Sequence, residues 1–242
     1  MIDVCVQMGH CFRRRGSTGT TGHRGTEQEF VSMIGPMIVD VLKSHGLSAV
    51  TLRADAPIPK CRVLLALHQD GSPNPSTRGA SVGYPSHTAV ESKRLGDIWK
   101  ALYQLAGFEA GFRRDNYTAA LSGYYAWRRS PATANLLIEH GFATNRFEEN
   151  WMWDKADLIA ATDAAAVMRY LGVSEYEPNE DDPDMDIIND PEAERMFAQW
   201  TLNGTTIVRE YLSYRGVDVG TVLPGISIVI DEQIKSGQLL KA

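Results

Sequence analysis

Residues 131–145 read PATANLLIEHGFATN. A proline opens this segment, and the apolar run that follows ends in Glu139. Short apolar runs bounded by turn-forming residues are typical of buried strands, so we predict a strand at residues 135–139. Burial at the end of such a strand raises the pKa of a carboxyl group, which suits general acid/base catalysis near neutral pH. The alternative for Glu139 is a structural salt bridge to Arg113, Arg114 or Arg128.

The residues before and after this strand follow an alternating pattern. Short β-branched or apolar runs alternate with longer segments of helical spacing through residue 172, which predicts an α/β fold with a twisted central sheet flanked by helices. The other strands are predicted at residues 2–8, 47–53, 62–68 and 79–84. Helices are predicted at residues 26–46, 88–105 and 145–172. The first two begin with capping boxes, Thr26 with Glu29 and Thr88 with Glu91, and Pro36 is expected to kink or interrupt the first.

Charge divides the chain into unlike parts. Residues 1–174 carry 19 basic and 16 acidic side chains, whereas residues 175–242 carry 5 and 14. Ten of those acids lie within residues 175–194, which contain no basic residue and three prolines, a composition typical of a linker. Asp190 and Pro191 then form a helix-start signal. We predict a main domain at residues 1–174, an acidic linker at 175–189 and a small helical C-terminal module at 190–242.

Several classes of protein are disfavoured by composition. No apolar run approaches the ~18 residues of a membrane span, and the net charge of −6 disfavours duplex DNA as a partner. The first residues lack the features of a signal peptide, which predicts synthesis and retention in a cytoplasm. Three cysteines, an odd number without a Cys-x-x-Cys motif, predict reduced structural thiols rather than disulfides or a thiolate metal cluster.

Two histidines lie at the ends of predicted strands. His10 follows the first strand, and His68 ends the third. Because the carboxyl ends of parallel strands gather at one edge of an open α/β sheet, the two imidazoles are expected to converge there, in an arrangement that suits a metal ion. The alternative is that each is a partly exposed loop histidine.

A carboxylate from the first helix completes this candidate site. Glu29 is the partner of the Thr26 cap, whereas Glu27 has no local role and is therefore the better ligand candidate. A His, Glu, His set leaves one tetrahedral position open, as in catalytic zinc sites. The alternative for Glu27 is an acid favoured by the helix dipole.

Other candidates have less support. His140 should face away from the site, because adjacent strand residues point to opposite sides. Cys11 is a poor ligand candidate beside His10. The glycine-rich segment at residues 16–22 resembles a phosphate loop but lacks its Gly-Lys-Ser/Thr ending, which favours a flexible loop at the site edge.

Together, these residues identify a family. Gly9-His10, Glu27 at a helix start, His68, and the PATANLLIEHGFATN segment resemble the zinc-dependent N-acetylmuramoyl-L-alanine amidases of the amidase-3 type over about residues 1–172. The resemblance implies that His10, Glu27 and His68 bind Zn²⁺ and that Glu139 is the catalytic acid/base. The chain departs from the family pattern at Asp70, where the family usually has Asn, and in its first loop, which begins at Cys11 rather than with glycines.

The resemblance also implies a function. The expected reaction is hydrolysis of the amide between N-acetylmuramic acid and L-alanine in peptidoglycan, through a zinc-activated water. The absence of a signal peptide together with the C-terminal module is similar to a phage endolysin, which predicts a role in host lysis from the host cytoplasm; a spore mother-cell hydrolase is the alternative. The module is expected to bind a wall polymer or to self-associate. Competing functions are another zinc amidohydrolase or carboxypeptidase, and a non-catalytic wall-binding protein.

Overall fold

The computed structural model describes residues 1–13 and 19–173. The predicted linker and C-terminal module lie outside these residues. Strands are β1 (Ile2–Met8), β2 (Ala49–Arg53), β3 (Cys61–Asp70), β4 (Ser81–Gly83) and β5 (Ala134–Phe142). Helices are α1 (Glu27–Ser44), α2 (Ala89–Leu105), α3 (Ala119–Ser122), α4 (Arg146–Asp154) and α5 (Ala156–Leu171), with 3₁₀ turns at Ser86–Thr88 and Tyr125–Arg128.

The strands form one five-stranded sheet in the order β2-β1-β3-β5-β4. The pairs β1·β2, β1·β3 and β3·β5 are parallel, and β4 is antiparallel to β5. The predicted α/β fold, a central sheet flanked by helices, is confirmed. Because β1, β3 and β5 are adjacent and parallel, their carboxyl ends lie at one edge of the sheet, where such folds place their sites.

The two faces of the sheet are covered differently. On one face, Leu64, Ala66 and Leu137 pack in a buried cluster with the segment that contains Leu121 and Trp127. The other face is covered by helices: α1 packs against β1, β2 and β3, α2 packs against β5, and α5 contacts both α1 and α2. Strand alternation assigns His68 and Glu139 to the first face, in line with Ala66 and Leu137, and assigns His140 to the helical face.

The register of β3 and β5 pairs the two residues of chemical interest. His68 lies opposite Glu139, and the next pair is Asp70 with Phe142, so β5 contains one extra residue in a bulge. Gly141 lies in the bulge with φ of 155°, a conformation that glycine adopts without strain. Both strands continue past the predicted ends at residues 68 and 139, so His68 and Glu139 lie within strands rather than at their last positions.

The first two helix starts differ from each other. At α1, the Glu29 backbone N–H donates to Thr26 Oγ1 and the Thr26 N–H donates to the Glu29 carboxylate, as the capping box requires. Thr88 forms no cap at α2; its hydroxyl contacts Ser92 and Asn135 instead. The capping-box prediction was therefore wrong at Thr88, because Ser92 in the same helix and Asn135 of β5 occupy that hydroxyl.

The other two predictions on helices concern breaks. Helix α1 continues through Pro36, so the interruption named as one of two possibilities there does not occur. The helix predicted at residues 145–172 is two helices, because Lys155 leaves the helical conformation with φ of −118° and ψ of 24°. No glycine or proline marks this break in the sequence. The two helices have different packing partners, since α4 contacts β5 whereas α5 packs between α1 and α2.

Strand β4 is shorter than the predicted residues 79–84. Its pairing with β5 begins at Ser81, because Ala80 bridges Phe112 instead. All three cysteines are free and buried. Among the described residues, no helix has both the length and the apolar character needed to cross a membrane.

Candidate active site

Three side chains converge at the carboxyl edge of the sheet. His10 follows β1, Glu27 is the first residue of α1, and His68 lies in β3. One ligand atom from each lies within 4.8 Å of the others. Glu27 Oε1 is 2.8 Å from His68 Nδ1 and 3.6 Å from His10 Nε2. The structure thus brings together the three residues that the sequence proposed as metal ligands.

Local backbone conformation makes this approach feasible. His10 has a positive φ of 58°, so the chain turns sharply after β1. A Cβ atom at Gly9 would lie 2.4 Å from both His68 Cε1 and the Leu67 carbonyl oxygen. Only glycine therefore lets the β1 turn pass this close to β3.

Backbone donors hold the Glu27 carboxylate in place. The Thr20 N–H donates to Oε2 at 2.8 Å, and the Gln69 N–H donates to Oε1 at 3.2 Å. Burial opposes its ionisation, but the hydrogen bond to His68, the charges of His68 and His10 and the Thr20 N–H together lower its pKa. Glu27 is thus a buried, ionised carboxylate in a fixed orientation, which suits the binding of a cation.

The end of the glycine-rich segment has a role in this arrangement. A Cβ atom at Gly19 would lie 2.6 Å from Glu27 Oε2, and Thr20 donates to that oxygen. The described part of the segment therefore supports the carboxylate rather than forming a phosphate cradle; residues 14–18, including Arg14 and Arg15, lie outside the described residues.

The donor set fits Zn²⁺. Imidazole nitrogen and carboxylate oxygen are ordinary zinc ligands, with bond lengths of about 2.0–2.2 Å. Tetrahedral bonds of that length separate the ligand atoms by about 3.3 Å, close to the distances from Glu27 Oε1 to the two imidazoles. Cys11 is not part of the set, because its Sγ contacts Ser32 Oγ and the Gln28 carbonyl oxygen.

Glu139 lies beside this cluster on the same face of the sheet. Its Oε2 is buried without a hydrogen-bond partner among the described residues. Burial, with smaller contributions from the charges of Asp70 and Glu27, raises its pKa well above the ordinary carboxyl value. No ion pair joins it to Arg113, Arg114 or Arg128 in the described part of the chain, so the salt-bridge alternative finds no support there.

Asp70 and Tyr117 are site neighbours that the sequence alone did not bring together. The Tyr117 hydroxyl donates to Asp70 Oδ2, and the Arg113 guanidinium lies 4.4 Å from the centre of the Tyr117 ring. Burial raises the pKa of Asp70, although Tyr117 and Arg113 oppose that shift. The residue that departs from the family pattern is thus held against the edge of the site.

His140 belongs to a separate network on the helical face, as strand alternation predicted. Its Nε2 is 2.8 Å from Asp163 Oδ2, and its Nδ1 faces the His68 carbonyl oxygen at 3.1 Å. Trp99 Nε1–H donates to Asp163 Oδ1 at 2.7 Å. Sequence reasoning missed Asp163, because in the sequence it is a single acid in an alanine-rich helix and its partners lie far away along the chain.

Replacing Asp163 with alanine is expected to lower the free energy of unfolding by about 3–5 kcal/mol, because it leaves buried donors of His140 and Trp99 unpaired. Asp157 is exposed in the first turn of the same helix, and Asp157→Ala should cost less than about 1 kcal/mol. Urea unfolding, monitored by tryptophan fluorescence, measures the free energy of unfolding of both variants. Equal losses would contradict a structural role for the network.

Comparison with known proteins identifies one family. The model of one family, described as N-acetylmuramoyl-L-alanine amidase (Amidase_3), matches residues 4–169. Among curated proteins, none matches the chain.

Solved structures of amidases share the fold. AmiC2 of Nostoc punctiforme superposes with a TM-score of 0.58 at 19% identity, covering 71% of this chain and 97% of that one. The catalytic domain of CwlV from Bacillus (Paenibacillus) polymyxa gives 0.56 at 20% identity, covering 72% and 100%. The catalytic domain of the CD27L endolysin, which targets Clostridia difficile, gives 0.52 at 19% identity, covering 70% and 98%.

At these identities the structural likeness establishes the fold, and the family assignment depends on the sequence match. That match spans well over half of the 242 residues and includes His10, Glu27, His68 and Glu139. The protein therefore belongs to the N-acetylmuramoyl-L-alanine amidase family Amidase_3, a family of peptidoglycan hydrolases.

Proposed function

We propose that the protein is a zinc-dependent N-acetylmuramoyl-L-alanine amidase. It hydrolyses the amide between the lactyl group of N-acetylmuramic acid and the L-alanine of the stem peptide. The observation that carries this proposal is the convergence of His10, Glu27 and His68 within 4.8 Å, with Glu139 paired to His68 across the sheet.

His10, Glu27 and His68 are the residues that would hold Zn²⁺, leaving one position of a tetrahedral set open. A Zn²⁺ ion in such a site supplies Lewis-acid chemistry, which acidifies water and polarises a carbonyl group. The carboxylate of Glu27 supplies negative charge to the ligand set. Its two backbone donors, Thr20 and Gln69, keep the carboxylate from rotating when the metal is absent.

Glu139 acts as the proton carrier in this mechanism. Its carboxylate takes a proton from the attacking water as the new carbon–oxygen bond forms on the lactyl carbonyl carbon. The protonated carboxyl then donates that proton to the L-alanine nitrogen as the carbon–nitrogen bond breaks. The raised pKa favours the protonated form that the second step requires.

Digestion of purified peptidoglycan with the full chain tests this function. New L-alanine amino termini should appear, a chelator should stop their release and added Zn²⁺ should restore it. A carboxypeptidase would instead free C-terminal amino acids without new L-alanine termini. A non-catalytic wall-binding protein would sediment with the wall and release no peptide.

We further propose that the amidase serves host cell lysis as an endolysin, acting on the wall after synthesis in the host cytoplasm. The likeness to an endolysin catalytic domain and the acidic stretch before the C-terminal residues support this role. In this proposal, residues 1–174 are catalytic, 175–189 are a linker and 190–242 bind a wall polymer or self-associate. Wall binding and oligomeric state should change when the chain is cut after residue 174; identical behaviour would refute a role for the module.

A further inference from the structure

His68 has a hydrogen-bond partner on each side of its ring. Nδ1 faces Glu27 in the candidate metal cluster, and Nε2 lies 3.1 Å from the Tyr124 hydroxyl. Tyr124 also packs its ring edge-on against His68, with 5.2 Å between the ring centres. The neighbour on the Nε2 side comes from the segment that covers the site face, 56 residues further along the chain.

Hydrogen bonds link Ala54, Gln7, Tyr124 and His68 in series. The donors in this series can be assigned by starting at Ala54. The Ala54 carbonyl oxygen only accepts, so the Gln7 side-chain amide donates to it at 2.9 Å. Gln7 is fully buried, and its Oε1 therefore points to Tyr124, whose hydroxyl donates to it at 3.1 Å. The other hydroxyl within reach, that of Tyr125, gives its own hydrogen to the Ala54 oxygen and can likewise only accept from Tyr124.

This assignment leaves one role for the Tyr124 oxygen toward His68. Because Tyr124 has a single hydroxyl hydrogen and both other neighbours accept it, the oxygen must accept from His68 Nε2–H. In the metal-free site Nδ1 shares a hydrogen bond with the Glu27 carboxylate; when a metal ion takes that place, His68 keeps its proton on Nε2 and offers the electron pair of Nδ1. That is the tautomer in which Nδ1 can bind a metal.

We propose that Tyr124, oriented by Gln7, is a positioning residue that holds the His68 tautomer and ring orientation and thereby strengthens metal binding at the His10, Glu27, His68 site. The inference depends on the metal site of the proposed function. Outer partners of metal-binding histidines typically contribute 10–100-fold in metal affinity. Tyr124→Phe removes the hydroxyl and keeps the ring, so the loss reports the hydrogen bond.

The test is a zinc titration of the full-length protein against a chromophoric chelator, which needs no turnover. Tyr124→Phe should weaken zinc binding about 10–100-fold, with the midpoint of urea unfolding of the metal-free protein close to that of the control. Tyr125→Phe is the matched control: it removes a neighbouring hydroxyl bonded to Ala54 but not to His68, and its zinc affinity should equal that of the wild type. Gln7→Met, which keeps the side-chain volume, should give a smaller loss because Tyr125 remains as an acceptor for Tyr124.

The outcomes separate the two proposals. If the wild type binds zinc tightly and Tyr124→Phe binds it equally well, the positioning role is wrong while the proposed function stands. Equal losses in Tyr124→Phe and Tyr125→Phe would also refute it, because packing rather than the bond to His68 would then be responsible. A wild type that binds no zinc would overturn the proposed function and this inference together. Zinc binding that depends on Tyr124, without release of L-alanine termini, would refute only the amidase proposal.

Discussion

Replacing Glu139 with glutamine is expected to lower the rate of stem-peptide release by about 10²–10⁴-fold, the usual contribution of a general acid/base. Glutamine has nearly the same shape but cannot take a proton from water or return one to the leaving nitrogen. Because Glu139 is not in the candidate ligand set, bound zinc should remain stoichiometric. Release of L-alanine amino termini and metal content, measured on the same preparation, check the two halves of this prediction.

Glu91 offers a matched control for Glu139. It lies in α2, away from the site edge, and accepts a hydrogen bond from the Tyr170 hydroxyl, which a glutamine oxygen can also accept. Glu91→Gln should therefore keep full activity. Wall lysis that survives in Glu139→Gln would show that another group carries the proton.

Glu139→Gln is also expected to change how the free energy of unfolding depends on pH. Because burial holds the pKa of Glu139 above the value of about 4.3 that the unfolded chain has, the folded protein binds more protons than the unfolded one between those two pKa values. The free energy of unfolding of the metal-free wild type should then fall as pH rises through that window. Glu139→Gln cannot ionise and should reduce this fall, which urea titrations at pH 5 and pH 8 would reveal.

The second large effect is expected when one of the proposed metal ligands is removed. His68→Ala is expected to lose more zinc affinity than the 10–100-fold assigned to an outer partner such as Tyr124, and to lose amidase activity with it. The substitution also removes a hydrogen-bond partner of the buried Glu27 carboxylate, which weakens the site further. Metal content after dialysis against a chelator of moderate affinity provides the measurement.

His87 is the corresponding control, because it is exposed and lies in the 3₁₀ turn before α2. His87→Ala should retain zinc and activity. A second ligand variant, His10→Ala, provides a check that does not depend on how well His68→Ala folds, since the His10 side chain is more exposed than that of His68. Full metal content in either ligand variant would remove that histidine from the proposed set.

Much of the site could be predicted because its residues carry local signals. His10 follows a strand pattern directly, and the Thr26 cap uses Glu29 and leaves Glu27 without a local role. Parallel topology then brings strand ends together. The structure brings these residues into one cluster; their role as metal ligands remains a prediction.

The parts that sequence reasoning missed depend on contacts between distant segments. Tyr124 reaches His68 and Gln7 from a segment without a strong periodic pattern, and Asp163 reaches His140 across the helical layer. The break at Lys155 has no glycine or proline, so local preference predicts one continuous helix. Such features are determined by packing partners, which a single sequence does not reveal.

The buried network of His140, Asp163 and Trp99 also stabilises the register of β5 in the sheet. Side chains alternate along a strand, so a slip of β5 by one residue would turn Glu139 toward the helices and present the His140 imidazole to the proposed metal ligands instead. Such a slipped state would separate His140 from Asp163 and so remove the imidazole partner of that buried carboxylate. The polar contacts buried on the opposite face thus penalise a misaligned sheet and favour the arrangement with a carboxylate beside the proposed metal site.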